Sequence, residues 1–376
     1  MNDKILDNEP EAQLDEQESI EEVGITKPFS TKDIRVTHAT LAMSSLINRL
    51  KHEEIDLQPD FQRNFDLWNH VKMSRLIESI LLRLPLPVFY FDVSDPSKWI
   101  VVDGLQRLST IKKFIIDGKL KLRGLEFLKD LEGMGYGELE RNHQRIIDET
   151  QVITYQIEAQ TPKAVRYSIF NRINTGGLSL NGQEIRQALN QNGDGINRLN
   201  EICQNDIFKR IVGISPKRMA DKELALRFIA LRLWCLGKLE LKRMEDLLDD
   251  AMENLDNNMT VEDFENLRDE LMESLEFSEK VFGERHRFSR SIGLEDYNNT
   301  LNKSLFDVIT TCFSEVQNKS AFVAKRDFFL EKFKQLLREK KGDFSSSITS
   351  GTNDRNAIET RFKIMRDLIE MVFKED

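Results

Sequence analysis

The sequence predicts an α+β chain, a mixed α/β half over about residues 30–200 followed by an all-helical half. Three observations carry this reading. Short apolar runs rich in strand formers alternate with amphipathic helical patterns in the first half. From about Ala220 onward every long apolar pattern has the helical period, and no run of comparable strength reads as a strand. The 376 residues, 40% hydrophobic and 31% charged, supply enough apolar surface for two cores. The chain divides on this basis into residues 1–24, 25–200 and 201–376.

Residues 1–22 hold nine acids against Lys4, with almost no aromatic or β-branched side chains. Such a segment cannot bury enough surface to offset the entropy of ordering, so 1–24 is expected to be a disordered acidic tail. Two accounts of it stand open: a solubilising leader, or a DNA-mimicking strip that competes for a basic face. Met73, Leu76, Ile77, Ile80, Leu81 and Leu84 then follow helical spacing until Pro85 stops the pattern. Val88-Phe89-Tyr90-Phe91 and Trp99-Ile100-Val101-Val102 read as two strands joined through a turn at Asp95-Pro96-Ser97. Asp103-Gly104 follows directly, then Leu105, Leu108 and Ile111 at helical spacing, with Gly118 as the stop. The order is strand, sharp turn, helix.

Gln151–Glu158 reads as a further strand. Thr161-Pro162, an N-cap and a first-turn proline, opens a helix to about Asn174, where Asn174-Thr175-Gly176-Gly177 breaks it. Asn181-Gly182-Gln183-Glu184 is a capping-box pattern that starts a short helix ending near Asn192-Gly193. The helical half is expected to contain helices over 220–236, 260–282, 295–316, 321–340 and 355–374.

Composition removes several function classes. No apolar run approaches the roughly 18 residues of a membrane helix, and the acidic N-terminus is unlike an export signal, so a cytoplasmic protein without a membrane partner is expected. Cys203, Cys235 and Cys312 are too few and scattered for a disulfide framework or a cysteine-based zinc site, and are expected to be buried small hydrophobes. The five histidines show no metal-ligand spacing. Phosphate-binding glycine loops, kinase motifs and a Gly-x-Ser-x-Gly nucleophile elbow are all missing from the sequence. The net charge of −10 is unevenly spread: 160–240 carries thirteen Lys/Arg against seven Asp/Glu, and 241–270 three against eleven. Segregated basic charge keeps a nucleic-acid or phosphate partner open. Lys209-Arg210 and Lys217-Arg218 are its densest pairs; they suit DNA phosphates, or else neutralise the acidic helices, whose own charge reads as a solvated surface.

Three constellations carry candidate chemistry. In Asp103-Gly104-Leu105-Gln106-Arg107 a strand hands over to a helix. Free backbone N–H groups there suit phosphate, Gly104 permits close approach, Arg107 can bind phosphate oxygens in pairs, Asp103 suits Mg²⁺, and Gln106 suits a water or phosphate. The bland alternative is an aspartate that caps the helix with Gln106 and Arg107 on a solvated face. Pro59-Asp60-Phe61-Gln62-Arg63-Asn64-Phe65 sets aromatic anchors around a Gln-Arg pair, and Phe170-Asn171-Arg172-Ile173-Asn174-Thr175-Gly176-Gly177 is either an Asn/Gly helix stop or a polar cluster at one.

These three segments, with Leu76-Ile77-Glu78-Ser79-Ile80-Leu81-Leu82-Arg83-Leu84-Pro85-Leu86-Pro87, occur in one order across about 57–190 and together resemble the domain of unknown function 262 family. That family is the N-terminal part of GmrSD-type modification-dependent restriction enzymes and is related to the ParB and sulfiredoxin fold. Arg218–Arg232 and Asn302-Lys303-Ser304-Leu305-Phe306 resemble its helical continuation less specifically. The resemblance implies a ParB/sulfiredoxin-like domain whose Asp-Gly-Gln-Gln-Arg motif binds and hydrolyses a nucleoside triphosphate with Mg²⁺, in antiviral, restriction-type defence against invading DNA. By position, Asp103 would serve metal or water, Gln106 the attacking water or a phosphate, and Arg107 the phosphates. Gln62 and Arg63 would close the pocket, and Asn174 would approach it. Leu105 stands where the family has its first Gln, and leucine neither donates nor accepts a hydrogen bond, which favours nucleotide binding without cleavage as the rival reading. The C-terminal half contains only His286, so this sequence shows no clustered nuclease centre, and two routes stay open: a separate nuclease subunit acting in trans, or restriction by sensing and signalling alone. A regulatory interaction subunit acting through the acidic tail is a third reading. Self-association stays open.

Overall fold

The structure is a computed structural model that describes residues 13–14, 34–57, 68–173, 181–190, 193–283, 288–292, 300–339 and 341–374. It is α+β, with a small mixed sheet in the N-terminal part and a largely helical C-terminal part. The chain forms two compact units: Ile25–Leu189, and Asn190 onward together with Gln13–Leu14. The expected tail lies outside the described residues except for Gln13–Leu14, which pair in parallel with Thr300–Leu301.

The N-terminal unit is built on five strands: β1 (Val36–Ala42), β2 (Ile55–Asp56), β3 (Phe89–Asp92), β4 (Trp99–Asp103) and β5 (Gln151–Ile157). Their order is β1-β5-β3-β4-β2. β1 and β5 pair antiparallel along all seven residues, β5 and β3 run parallel, β3 and β4 form the expected hairpin, and β2 joins β4 in parallel. The hairpin turn follows from Asp95, whose carboxylate accepts from the Ser97 N–H at 2.8 Å and the Ser97 hydroxyl at 2.6 Å. Alternation along the strands sends Phe89, Phe91, Val101 and Val152 to one face, where they share a core with Ile77 and Ile111 of two covering helices.

Ile77 and Ile111 lie on α2 (His70–Leu81) and α3 (Leu105–Ile111), and α1 (Met43–Lys51) and α4 (Arg141–Glu149) complete the helices that precede β5. Asn69 caps α2 by accepting from the Lys72 N–H at 2.9 Å. α2 ends three residues before the apolar pattern does. Arg83 enters the left-handed region at φ 58°, and Leu84 N–H closes back on the Ser79 carbonyl. Glu78 on α2 is buried, and its carboxylate accepts from the N–H groups of Glu126, Phe127 and Leu128 at 2.7–3.0 Å, holding an irregular segment that has no ladder of its own.

Two helices follow β5: α5 (Lys163–Ile173) and α6 (Gly182–Leu189). The hydroxyl of Thr161, just before α5, bonds both backbone groups of Arg35, each at 3.0 Å, tying down the start of β1. The capping box of α6 is present: Asn181 accepts from the Glu184 N–H at 2.8 Å, and Glu184 from the Asn181 N–H at 2.6 Å.

The C-terminal unit contains α7 (Asp194–Gln204), α8 (Asp206–Val212), α9 (Ala220–Cys235), α10 (Met244–Asn257), α11 (Val261–Phe282), α12 (Lys303–Ser314), α13 (Lys319–Ala324), α14 (Arg326–Arg338), α15 (Asp343–Ser347) and α16 (Arg355–Lys374). Two expected helices are corrected. That over 295–316 begins only at Lys303, where buried Asn302 caps it by accepting from the Leu305 N–H at 2.8 Å. That over 321–340 is split at Lys325, and Phe322 and Phe329 on either side of the break bring their ring centroids to 5.0 Å. The two less specific motif segments meet here, Lys303 donating to both carboxylate oxygens of Glu223 at 2.8 and 2.9 Å, and Asp307, the residue after Phe306, is held more deeply. Arg227 grips Asp307 through Nε at 2.9 Å and Nη2 at 2.6 Å, and Arg361 adds a bond to the same carboxylate at 3.2 Å, all three side chains being buried.

Candidate functional site

The strand-to-helix turn at Asp103 is shaped by two local devices. Register opposes Tyr90 to Asp103 and Phe91 to Val101, so Val102 is the extra residue of a β-bulge at the end of β4. Gly104 follows at φ 103°, and a Cβ built on it would lie 2.4 Å from the Phe89 ring. A side chain there meets both backbone strain and a clash, which is why glycine is required. α3 then starts without a side-chain cap, its first bond running from Leu108 N–H to the Gly104 carbonyl at 2.9 Å. The bland alternative of an aspartate cap is thereby set aside, because Asp103 turns its carboxylate to Arg107.

Arg107 is a buried clamp. It donates through Nη1 to the Pro87 carbonyl, and through Nη2 to the Val88 carbonyl at 3.0 Å and to Asp103 Oδ2 at 2.9 Å. Its guanidinium carbon stands 4.3 Å from the centroid of the Phe89 ring. Burial lowers its pKa and the Asp103 carboxylate pulls the other way; a guanidinium stays charged across any working pH. The Arg107 side chain is 9% exposed and that of Asp103 44%, so the outward-facing charge of this pair is the carboxylate. Leu105 packs against the core of the N-terminal unit, and Gln106 is half-buried.

The other expected partners are placed less fully. Gln62, Arg63 and Asn174 lie outside the described residues. α5, which leads into the third motif, is anchored to the sheet by Arg166, bonded to the buried Asp92 at 3.1 Å and to Ser94 at 2.7 Å. On α6, one turn apart, the buried side chains of Gln183 and Gln187 leave the Gln183 amide and the Gln187 carbonyl without a hydrogen-bond partner among the described residues.

A feature the sequence reading passed over lies beside Asp103. Register aligns His38, Tyr155, Tyr90 and Asp103 across β1, β5, β3 and β4. Tyr90 and Tyr155 stack at 5.2 Å with an interplanar angle of 14°, and His38 lies 6.2 Å from Tyr155. The signal was period-two alternation in β3 and β5, legible once their pairing is known.

In the C-terminal unit Arg210 pairs with Glu279, while Lys209 and Lys217 are exposed and Arg218 is half-buried with a positive φ. Acidic residues of 241–270 are likewise paired, Lys238 with Asp263 at 3.1 Å and Lys242 with Asp250 at 2.6 Å. Charge neutralisation between helices thus accounts for part of the basic excess. Cys312 is buried, whereas Cys203 and Cys235 are half-buried, and burial pushes every one of the three thiols up, Cys235 to about 12. None is a reactive thiolate at neutral pH. Among the described residues no three His, Cys, Asp or Glu side chains converge as a metal-binding group. A lone carboxylate such as Asp103 suits a cation whose other ligands are phosphate oxygens and water. No helix among the described residues is long and apolar enough to cross a membrane.

Residues 43–190 match the family model of the GmrSD restriction endonuclease, N-terminal domain. The match contains α1 through α6, the Asp103 turn and the Arg166 anchor. No curated protein and no solved structure matches the chain.

Proposed function

We propose that this GmrSD-type domain binds a nucleoside triphosphate with Mg²⁺ at the Asp103 turn and hydrolyses it, as the nucleotide-driven part of a DNA-targeting, restriction-type defence protein. The observation that carries the reading is the pairing of an outward carboxylate with a buried guanidinium on a bulged, glycine-terminated strand end. Asp103 would hold Mg²⁺, which when bound neutralises phosphate charge. Arg107 acts as a positioning residue, because reaching a phosphate would mean surrendering the carbonyls of Pro87 and Val88. Gln106 orients a water or phosphate, Gly104 keeps the approach open, and Gln62, Arg63 and Asn174 complete the pocket. Exposed Lys209 and Lys217 are the candidates for DNA phosphates, Arg210 and Arg218 being secondary. Cleavage of DNA falls to a separate nuclease subunit.

Leu105 favours a second reading, a nucleotide-gated module with little turnover. Its side chain is spent on core packing and supplies no polar group beside the phosphates. Phosphate release from ATP, GTP, CTP and UTP with Mg²⁺, with and without DNA, separates the two. The enzyme reading expects selective turnover that falls roughly 100-fold or more in Asp103→Asn. Saturable binding without turnover establishes the gated module, and neither binding nor turnover removes both.

A further inference from the structure

We infer that the cross-strand row His38–Tyr155–Tyr90 is a stacking surface for the nucleobase of the nucleotide held at Asp103, an inference that rests on the function proposed above. Three side chains of ring type occupy successive positions of one row, from the edge strand β1 inward through β5 and β3. Tyr90 and Tyr155 already lie nearly parallel at 5.2 Å. The next position in register is Asp103, which carries no ring, so the ladder stops one strand short of the carboxylate that faces outward. Adjacent strands are about 4.8 Å apart, so a planar base laid against Tyr90 continues the stack while its phosphates remain within reach of Asp103.

The alternative occupant of an aromatic row is simply the sheet itself, since stacked cross-strand rings stabilise sheets. Exposure argues for more than that. On the opposite face Phe89 and Phe91 are fully buried, whereas Tyr90 and Tyr155 are only half-buried and His38 is exposed. The row therefore offers π surface and polar edges to solvent beside an anion-directed site, the combination by which proteins hold bases without reading their sequence.

The test compares binding of a nucleoside triphosphate and of inorganic triphosphate, both with Mg²⁺, by the full chain and by Tyr90→Leu, Tyr155→Leu, Tyr155→Phe and His38→Ala. The leucine variants keep apolar bulk in the sheet, and His38→Ala alters an exposed position, so folding survives; thermal melting checks each one. Wild type is expected to bind the nucleotide more tightly than triphosphate. Tyr90→Leu should erase that preference, a loss of roughly 5- to 150-fold per stacked base, and Tyr155→Leu, which removes the ring behind Tyr90, should reduce it; both should leave triphosphate binding unchanged, and Tyr155→Phe should keep the preference. Leucine variants that keep the full preference would overturn the stacking surface and leave the phosphate site standing. A wild-type chain that binds neither ligand would overturn the phosphate site, and the stacking surface with it.

Discussion

At the scale of single residues, Gly104 is the position on which the candidate site is most exposed to change. Its φ of 103° and the 2.4 Å approach of the Phe89 ring to a Cβ there act together. Left-handed strain and overpacking each cost on the order of 1–2 kcal/mol, so Gly104→Ala is expected to lower stability by about 3 kcal/mol in urea denaturation. Because the same Cβ would stand 3.2 Å from Arg107 Nη2, the substitution should also disturb the clamp on Asp103. Arg107 shows how burial changes the meaning of a motif residue. A sequence presents it as a free cation next to a glycine, but its guanidinium is engaged by two carbonyls, a carboxylate and an aromatic face. The outward charge at the turn is the acid.

At the scale of elements, Glu78 joins α2 to the irregular 120–139 segment. Burial alone would raise its pKa, but three backbone N–H donors and Lys129 outweigh that and leave it below the ordinary glutamate value. A carboxylate whose folded pKa is depressed contributes stability that is complete above its unfolded pKa, near 4.5, and is lost as pH falls through the folded value. Melting temperature measured from pH 7 down to pH 3 should therefore fall more steeply in the wild type than in Glu78→Gln. Glu78→Gln should be less stable at neutral pH, where the charged acceptor serves three donors. Equal acid slopes would contradict the role given to this carboxylate.

Elements with a strong local signature were legible in the sequence, and elements made by their partners were not. The hairpin of β3 and β4, the capping box of α6 and the glycine turn between β4 and α3 all announce themselves through side chains that act on their own backbone. β1 does not. Val-Thr-His-Ala-Thr-Leu-Ala lacks a strong apolar alternation, and its strand character comes from the β5 ladder, the one partner it has among the described residues. α1 and α4 are nine residues each, too short for their periodicity to stand out. The Asp103 turn was readable for the same reason as the hairpin. The aromatic row beside it was hidden, since it is a property of register across four strands rather than of any one of them.

At the scale of the molecule, each unit keeps its own core, aliphatic and aromatic around the sheet in the first and rich in phenylalanine in the second. Asp307 is the polar hinge-pin of the second. Asp307→Ala leaves Arg227 and Arg361 buried without their shared carboxylate, and losing one partner of such a pair costs about 3–5 kcal/mol. Trp234, packed edge-on against Phe362 at 5.1 Å, reports on that unit. Its fluorescence transition should move to lower urea in Asp307→Ala. Nucleotide binding assigned to the first unit should persist in the folded variant.

If the carboxylate of Asp103 takes part in holding a Mg²⁺–nucleoside triphosphate, removing its charge must weaken nucleotide binding. Calorimetric titration of ATP, GTP, CTP and UTP with Mg²⁺ into the full chain and into Asp103→Asn tests it most directly, since the amide can still accept from Arg107 but carries no charge for a cation. The expected result is a saturable isotherm for at least one nucleotide, weakened tenfold or more, about 1.4 kcal/mol, by the substitution. Absence of binding by the wild type, or isotherms that coincide in the two proteins, would contradict it.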